Sequence, residues 1–220
     1  MKIKTLATLA LGIAAALCLA LPAVAQVTGS VHDLNAYVPA ITMPNTRICV
    51  ACHTPHNGNT TVAPLWNHSA SAGGHTPYDS GTINATDLGA PTGISLMCLS
   101  CHDGSAALDS FGAGTRTDNT PGTTTLTGSA LLDIDLSNDH PVSFTYDTAL
   151  AGVDGQLHDP SATASGLGGN IDADLLFGTG NDQLECSSCH DVHNGPSVVE
   201  QPLLIKSNVG SALCFTCHDK

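Results

Sequence analysis

The stretch that decides the fold lies near the end of the chain and reads Cys186-Ser-Ser-Cys189-His190-Asp-Val-His193, followed later by Cys214-Phe-Thr-Cys217-His218. The same two units occur earlier in the same order, as Cys49-Val-Ala-Cys52-His53-Thr-Pro-His56 and Cys98-Leu-Ser-Cys101-His102. Self-similarity of this kind indicates duplication of a structural unit. The sequence therefore predicts two paired units, each built on two copies of the pattern C-x-x-C-H.

The pattern C-x-x-C-H is the attachment motif for c-type haem. Its two thiols reach the two vinyl groups on one porphyrin edge, and the histidine that follows gives its imidazole to the iron. The predicted attachment residues are Cys49, Cys52, Cys98, Cys101, Cys186, Cys189, Cys214 and Cys217. The predicted proximal ligands of the iron are His53, His102, His190 and His218. The chain is thus expected to carry four covalently bound haem c groups.

Other uses of paired cysteines explain less of the pattern. Structural zinc can use C-x-x-C pairs with histidine, but it does not require a histidine directly after every second cysteine. Disulfides are the usual expectation for an even number of cysteines in an exported chain, yet they leave the adjacent histidines unexplained. A thioredoxin-like redox pair is usually single and sits beside a βαβ pattern, which this sequence lacks.

Residues 1–25 have the layout of a secretory signal peptide that is removed from the mature protein. A cationic start precedes an apolar run over 6–21, and Ala23-Val24-Ala25 is a small-x-small cleavage site. The run is shorter than the ~20 residues that a membrane-spanning helix needs, so no span is expected after cleavage. The chain is therefore expected to be exported, to the periplasm or to the outside of the cell. The ninth cysteine, Cys18, lies inside this segment.

The composition excludes several classes of binding protein. The full chain has a formal net charge of -13, and after residue 25 it keeps 4 basic against 19 acidic side chains, which gives -15. A nucleic-acid-binding protein needs cationic surface, and so does a peripheral protein of anionic membranes. Aromatic residues make up only 4% of the chain, although such rings usually supply much of a buried core. The chain is therefore expected to pack around its haems.

The second axial ligand of each iron decides whether that iron carries electrons or binds a substrate. After cleavage, methionine is left only at Met43 and Met97, so there is little material for Met/His ligation. Bis-histidine ligation has ample material, and an iron ligated in this way has no vacant position. The candidate distal ligands are His56, His193, His140, His68 and His32.

These candidates differ in their settings. His56 and His193 occupy matching places three residues after a proximal histidine, so they cannot easily reach the opposite face of their own haem. They are expected to ligate a neighbouring haem. Five candidates for four irons mean that one is surplus or serves another chain, and the fourth site falls to His68 or His32. One hypothesis is that His32, close to the mature N-terminus, completes a haem in a second copy of the chain. His75 and His158 stand in polar turns and are expected to be solvated.

The motifs divide the mature chain into three regions: a first paired-haem unit over 26–110, a Gly/Thr/Asp-rich connecting region over 111–185 that carries His140, and a second paired-haem unit over 186–220. Alternating patterns at 131–136 and 142–146 predict short strands, and short helices are expected at the motifs. The predicted fold class is a multihaem cytochrome c, loop-rich with little regular secondary structure, whose core is formed by four stacked haems.

Several stretches resemble the doubled C-x-x-C-H family of multihaem cytochromes: Cys-His-Thr-Pro-His-Asn-Gly at 52–58, Pro-Leu-Trp-Asn-His at 64–68, Asn-Asp-His-Pro-Val-Ser-Phe at 138–144 and the closing Cys-His-Asp-Lys. The resemblance covers most of 30–220, and it is strongest to the small tetrahaem cytochromes of metal-respiring bacteria. It implies bis-histidine haems and electron transport. Some members of that group polymerise into extracellular filaments with a histidine donated between subunits, and soluble periplasmic relatives have similar motifs.

The sequence thus predicts an electron carrier and not an enzyme. The expected activity is transfer of electrons along a chain of bis-histidine haems in anaerobic or extracellular respiration, with the repeating subunit of a cytochrome filament as one form. Two alternatives stay open: a multihaem reductase with one open-site haem, against which the scarcity of basic side chains argues, and an electron-transfer subunit of a larger oxidoreductase. The expected partners are redox proteins or extracellular electron acceptors and, in a filament, further copies of the chain.

Overall fold

The computed structural model describes residues 26–37, 45–59, 65–112, 124–195, 197–198 and 201–220. The predicted signal peptide, residues 1–25, lies outside the described residues. Regular structure is short, and its α-helices are α1 (Leu34–Tyr37), α2 (Gly93–His102), α3 (Thr148–Asp154), α4 (Ile171–Leu175) and α5 (Cys214–Cys217). A 3-10 helix covers Asn45–Ala51, and single 3-10 turns cover Gly128–Ala130, Cys186–Ser188 and Val209–Ser211. Over these described ranges, no helix has both the length and the apolar character needed to cross a bilayer.

Two small antiparallel sheets complete the regular structure. The first pairs β1 (Phe144–Thr145) with β2 (Gln183–Leu184), in a register that sets Phe144 opposite Leu184. The second pairs β3 (Ser197–Val198) with β4 (Gln201–Pro202). The predicted loop-rich architecture with short helices is confirmed, and each C-x-x-C-H motif includes or adjoins a helical turn.

The helix α2 carries the second motif and positions it against the third. Its buried face consists of Ser95, Leu99 and Ser100, a spacing that places these residues along one side of a helix. Two of the three are serines, so this face makes hydrogen bonds as well as apolar contacts. The helix ends at His102, where the N–H of Asp103 donates to the carbonyl of Leu99 at 2.9 Å.

The connecting region contains more packed structure than its loop-forming composition suggests. Its buried cluster surrounds β1, β2, α3 and α4 and consists of Phe144, Tyr146, Ala151, Ile171, Leu175, Leu176 and Leu184. The hydroxyl of Tyr146 donates to the carbonyl of His158 at 2.6 Å, so the ring is buried with its polar atom satisfied. A smaller cluster of Ala51, Leu108 and Phe111 lies beside the first motif. Polypeptide side chains therefore supply two local cores around the motifs.

Only one of the two predicted strands is present. The pattern over 142–146 contains β1, but residues 131–136 form no regular strand. Asp133 has a φ of 67°, a left-handed conformation that interrupts an extended ladder. What remains is an isolated parallel bridge between Thr76 and Asp135. Alternation of apolar and acidic residues was therefore a misleading signal at this position.

Candidate metal centre

All eight cysteines of the described chain are free thiols held on four similar turns. In three of the motifs the N–H of the histidine donates to the carbonyl of the first cysteine: His53 to Cys49 at 2.8 Å, His190 to Cys186 at 3.1 Å and His218 to Cys214 at 2.9 Å. The remaining motif lies within α2, where the same closure is part of the helix. Each turn therefore holds two thiols and an imidazole close together.

The second cysteine of several motifs is held in its neutral form. Burial raises the pKa of the Cys52 thiol to about 12 and the pKa values of Cys189 and Cys217 to about 11. A thiolate is the form that attacks a disulfide, so these surroundings do not favour thiol–disulfide exchange. Among the described residues, no group of three or more His, Cys, Asp or Glu side chains is arranged to hold a bare metal ion. The surroundings fit a thiol that bonds to an apolar group.

Three motif histidines each face a second imidazole ring from a distant part of the chain. The ring centroids are separated by 6.0 Å for His102 and His32, 6.1 Å for His53 and His193, and 6.3 Å for His218 and His140. Two imidazoles on opposite sides of one metal have centroids about 6 Å apart, from about 2 Å per metal–nitrogen bond and roughly 1 Å from nitrogen to ring centre. All three separations therefore leave room for one iron atom between the rings.

Backbone carbonyls orient the rings of three candidate iron ligands. The Nδ1 atom of His102 lies 2.8 Å from the carbonyl oxygen of Ala130. The corresponding distances are 3.0 Å from His190 Nδ1 to the Pro202 carbonyl and 2.9 Å from His140 Nδ1 to the Pro141 carbonyl. A hydrogen bond from Nδ1–H fixes the tautomer in which Nε2 has a free lone pair. This is the usual arrangement of a histidine that binds a metal through Nε2.

Two of the paired histidines have lowered pKa values, which keeps their rings neutral, as a metal ligand must be. Burial, followed by the neighbouring His102, His190 and His193, lowers the pKa of His32 to about 4. Burial and then the facing His140 lower the pKa of His218. Both rings are therefore unprotonated near neutral pH.

His190 and His56 are not brought together with another ring in this way. Both side chains are exposed, and no ring contact of either is found among the described residues. His56 lies on a turn, and its own backbone carbonyl accepts a hydrogen bond from Thr54 Oγ1 at 2.8 Å. His190, the histidine of the third motif, therefore has no facing imidazole among the described ring contacts.

His68, a predicted distal ligand, lies in a buried aromatic pocket. Its ring is 5.6 Å from Trp66 and 5.8 Å from Phe111 between centroids, and burial lowers its pKa. Trp66 in turn contacts the ring of His53 at 6.4 Å. Among the ring contacts of the described residues, His68 faces no motif histidine.

The prediction that His75 is solvated was wrong. Its Nε2 lies 3.1 Å from Asp103 Oδ2, and both side chains are 0% exposed. Ser71 also donates a hydrogen bond to this carboxylate. The signal that could have found the pair is the acidic residue directly after His102, since a carboxylate carried inward by the end of α2 needs a buried donor. His158, the other histidine assigned to solvent, is half-buried.

Five buried polar atoms have no hydrogen-bond partner in the described chain: Nδ1 of His32, His68 and His75, Nε1 of Trp66 and Oδ1 of Asp33. Buried polar groups are almost always satisfied, and leaving one unsatisfied costs about 1–3 kcal/mol. Four of these atoms are ring nitrogens that can donate, and the two propionate carboxylates of a haem accept hydrogen bonds from such donors; the Asp33 oxygen is an acceptor and is not explained in this way. Together with the paired imidazoles and the neutral thiols, these nitrogen atoms fit haem c.

Comparison with known proteins agrees with the geometry of the motifs. The family model for the doubled CXXCH motif matches residues 179–220, which contain the third and fourth motifs. No curated protein matches the chain in sequence. The match indicates covalently bound haem c and a role in electron transfer. Over residues 179–220 the chain is thus similar to the doubled CXXCH family of multihaem c-type cytochromes.

Proposed function

We propose that the chain is an exported tetrahaem c-type cytochrome that passes electrons between redox partners outside the cytoplasm. The observation that carries the proposal is the set of three facing imidazole pairs at 6.0–6.3 Å, each with one member in a C-x-x-C-H motif. Haem iron bound there supplies a one-electron Fe(III)/Fe(II) couple. Pairing of two imidazoles leaves no open position for a substrate, which favours a carrier over an enzyme.

The three ring pairs support a proposed distal ligand for each of three haems. His193 serves the haem on Cys49 and Cys52, whose proximal ligand is His53. His32 serves the haem of the second motif, and His140 that of the fourth. His193 reaches a haem outside its own motif, in keeping with its position three residues after His190.

The first test counts haems and their ligation. The full chain, exported by a host with a working cytochrome-maturation system, should gain the mass of four haems, and replacing Cys186 and Cys189 by Ala should reduce the number to three. The visible spectrum of reduced protein should be low-spin for the three paired haems. A colourless product, or one that binds zinc in stoichiometric amount, would contradict the proposal.

The unpaired His190 supports two further possibilities for the fourth haem. In the first, a second copy of the chain supplies His56, which is exposed and faces no ring in the described chain, and the copies form a filament. In the second, the iron of this haem is open and the protein is a reductase. Only four basic side chains remain after residue 25, so an oxyanion substrate would find little cationic surface.

Two variants distinguish a shared histidine from an internal one. Because His32 faces His102 in its own chain, His32→Ala should convert one haem to high spin without changing assembly. His56→Ala should leave the monomer spectrum unchanged and abolish any polymer that electron microscopy detects in the parent protein. A monomer at all concentrations that binds one carbon monoxide per chain would favour the open-site alternative. Loss of polymer in the His32 variant alone would make His32 the shared ligand.

A further inference from the structure

A single carboxylate is buried at the junction of the second and third motifs. Glu185 directly precedes Cys186 and is 4% exposed. Its Oε2 accepts hydrogen bonds from Ser95 N at 3.1 Å, from Ser143 Oγ at 3.0 Å and from Ser95 Oγ. The N–H of Ser188 also donates to this side chain in a capping box. All the partners are donors, which fits an ionised carboxylate because only that form is purely an acceptor.

The same residues link two segments that are far apart in sequence. Ser95 lies in the first turn of α2, and its Oγ accepts a hydrogen bond from Cys186 N at 3.0 Å. The N–H of Glu185 donates to Ser188 Oγ at 2.9 Å, which closes the 3-10 turn of the third motif. The junction is close-packed at Gly93, where a Cβ would lie 2.6 Å from Glu185 Oε1. The carboxylate therefore holds the start of α2 against the third motif.

This contact brings two attachment sites together. The hydrogen bonds among Ser95, Glu185 and Cys186 hold the start of α2 against the third motif, and α2 carries Cys98 about one turn further along. Cys98 is the first cysteine of the second motif, and Cys186 is the first cysteine of the third. The junction therefore joins the first paired unit to the second through the cysteines that would carry their haems.

We propose that Glu185 is a positioning residue for the electron step between the two paired units, and that its charge lowers the reduction potentials of the two adjoining haems. The inference rests on the proposed function. Each transfer across the junction oxidises one iron by one electron and reduces the other by one electron, with no change in protons. A fixed negative charge disfavours the added electron, and burial limits screening by water and salt. Among the described residues, no lysine or arginine forms an ion pair with this carboxylate.

The test is a redox titration of the haem-loaded protein and of Glu185→Gln, which keeps the shape and removes the charge. We expect four haems and low-spin spectra to be retained, while two of the four midpoint potentials rise. The expected rise is at least a tenfold change in the reduction equilibrium, or about 59 mV for a one-electron couple. Asp87→Asn is the control, because this exposed carboxylate also accepts two hydrogen bonds, both from Thr145. It should leave all four potentials unchanged.

A second variant separates charge from loosened packing. Ser143→Ala keeps the charge of Glu185 and removes one donor, so the same two potentials should fall or stay constant. A rise as large as that in Glu185→Gln would overturn the assigned role of the charge. If Glu185→Gln loses haem, Glu185→Asp is titrated instead; it keeps the charge, so the two potentials should stay low, and a tenfold or larger rise in the reduction equilibrium there would overturn the inference. A parent protein without redox-active haem would refute the proposed function itself. Four redox-active haems whose midpoint potentials are the same in the parent and in Glu185→Gln would refute only this inference.

Discussion

Haem-free protein, made in the cytoplasm as residues 26–220 without haem attachment, should show no cooperative thermal unfolding of the whole chain. The reason is the small amount of core that the polypeptide supplies by itself. The buried clusters contain seven residues in the connecting region and three beside the first motif. Ordering the backbone costs about 1–2 kcal/mol per residue, and porphyrin faces would provide much of the compensating apolar contact. Circular dichroism during a temperature ramp measures the expected absence of a sigmoidal transition.

The matched control for this experiment is the same chain after export and haem attachment, which should unfold cooperatively. Hydrogen exchange adds spatial detail. Protection in the haem-free chain should be restricted to the cluster around Tyr146 and Ile171, with none in α2. A sharp transition in the haem-free protein, with α2 protected, would show that the core of the fold does not depend on haem.

Replacing His193 by Ala should convert one haem of the exported protein to high spin. The His193 ring faces His53 at 6.1 Å, and without it the first-motif iron would keep a single imidazole. Carbon monoxide should then bind to one more haem per chain than in the parent protein. Visible absorption and a carbon monoxide titration of the reduced protein measure both effects. His193→Met should restore low spin and raise one reduction potential, because Met/His ligation favours the reduced iron.

His158→Ala is the control for this variant, since His158 faces no motif histidine among the described ring contacts. Its spectrum should match that of the parent. Added imidazole should return the His193→Ala protein to low spin by filling the vacated position. A low-spin spectrum in His193→Ala without any added ligand would mean that another side chain, with His68 the nearest candidate, ligates the first haem.

The sequence was most informative where the chemistry is local. Four repeats of C-x-x-C-H specify a turn, two thiols and an imidazole within five residues, so attachment sites and short helices could be predicted there without knowledge of the fold. Residues 131–136 show the opposite case. Their alternating pattern predicts a strand, but Asp133 adopts a left-handed conformation. Local turn geometry prevailed over periodicity at that point.

Contacts between distant segments could not be predicted from the sequence. The distal candidates were recognisable by residue type, but their pairing depends on how 26–37 and 124–195 fold back on the motifs. A second copy was one hypothesis for His32, and only the fold shows that its ring lies 6.0 Å from that of His102 in its own chain. Glu185 and His75 were missed for a related reason. Each is satisfied by partners far away in sequence, and a buried charge has no periodic signature.

The approach of His193 to His53 links the two repeats in a way that their sequence similarity conceals. Each repeat contains its own two motifs, yet the imidazole of His193 from the later repeat lies beside His53 in the first motif of the earlier one. If these two rings bind one iron as proposed, removing either repeat would deprive that haem of an imidazole, so complete ligation would require both repeats in one polypeptide.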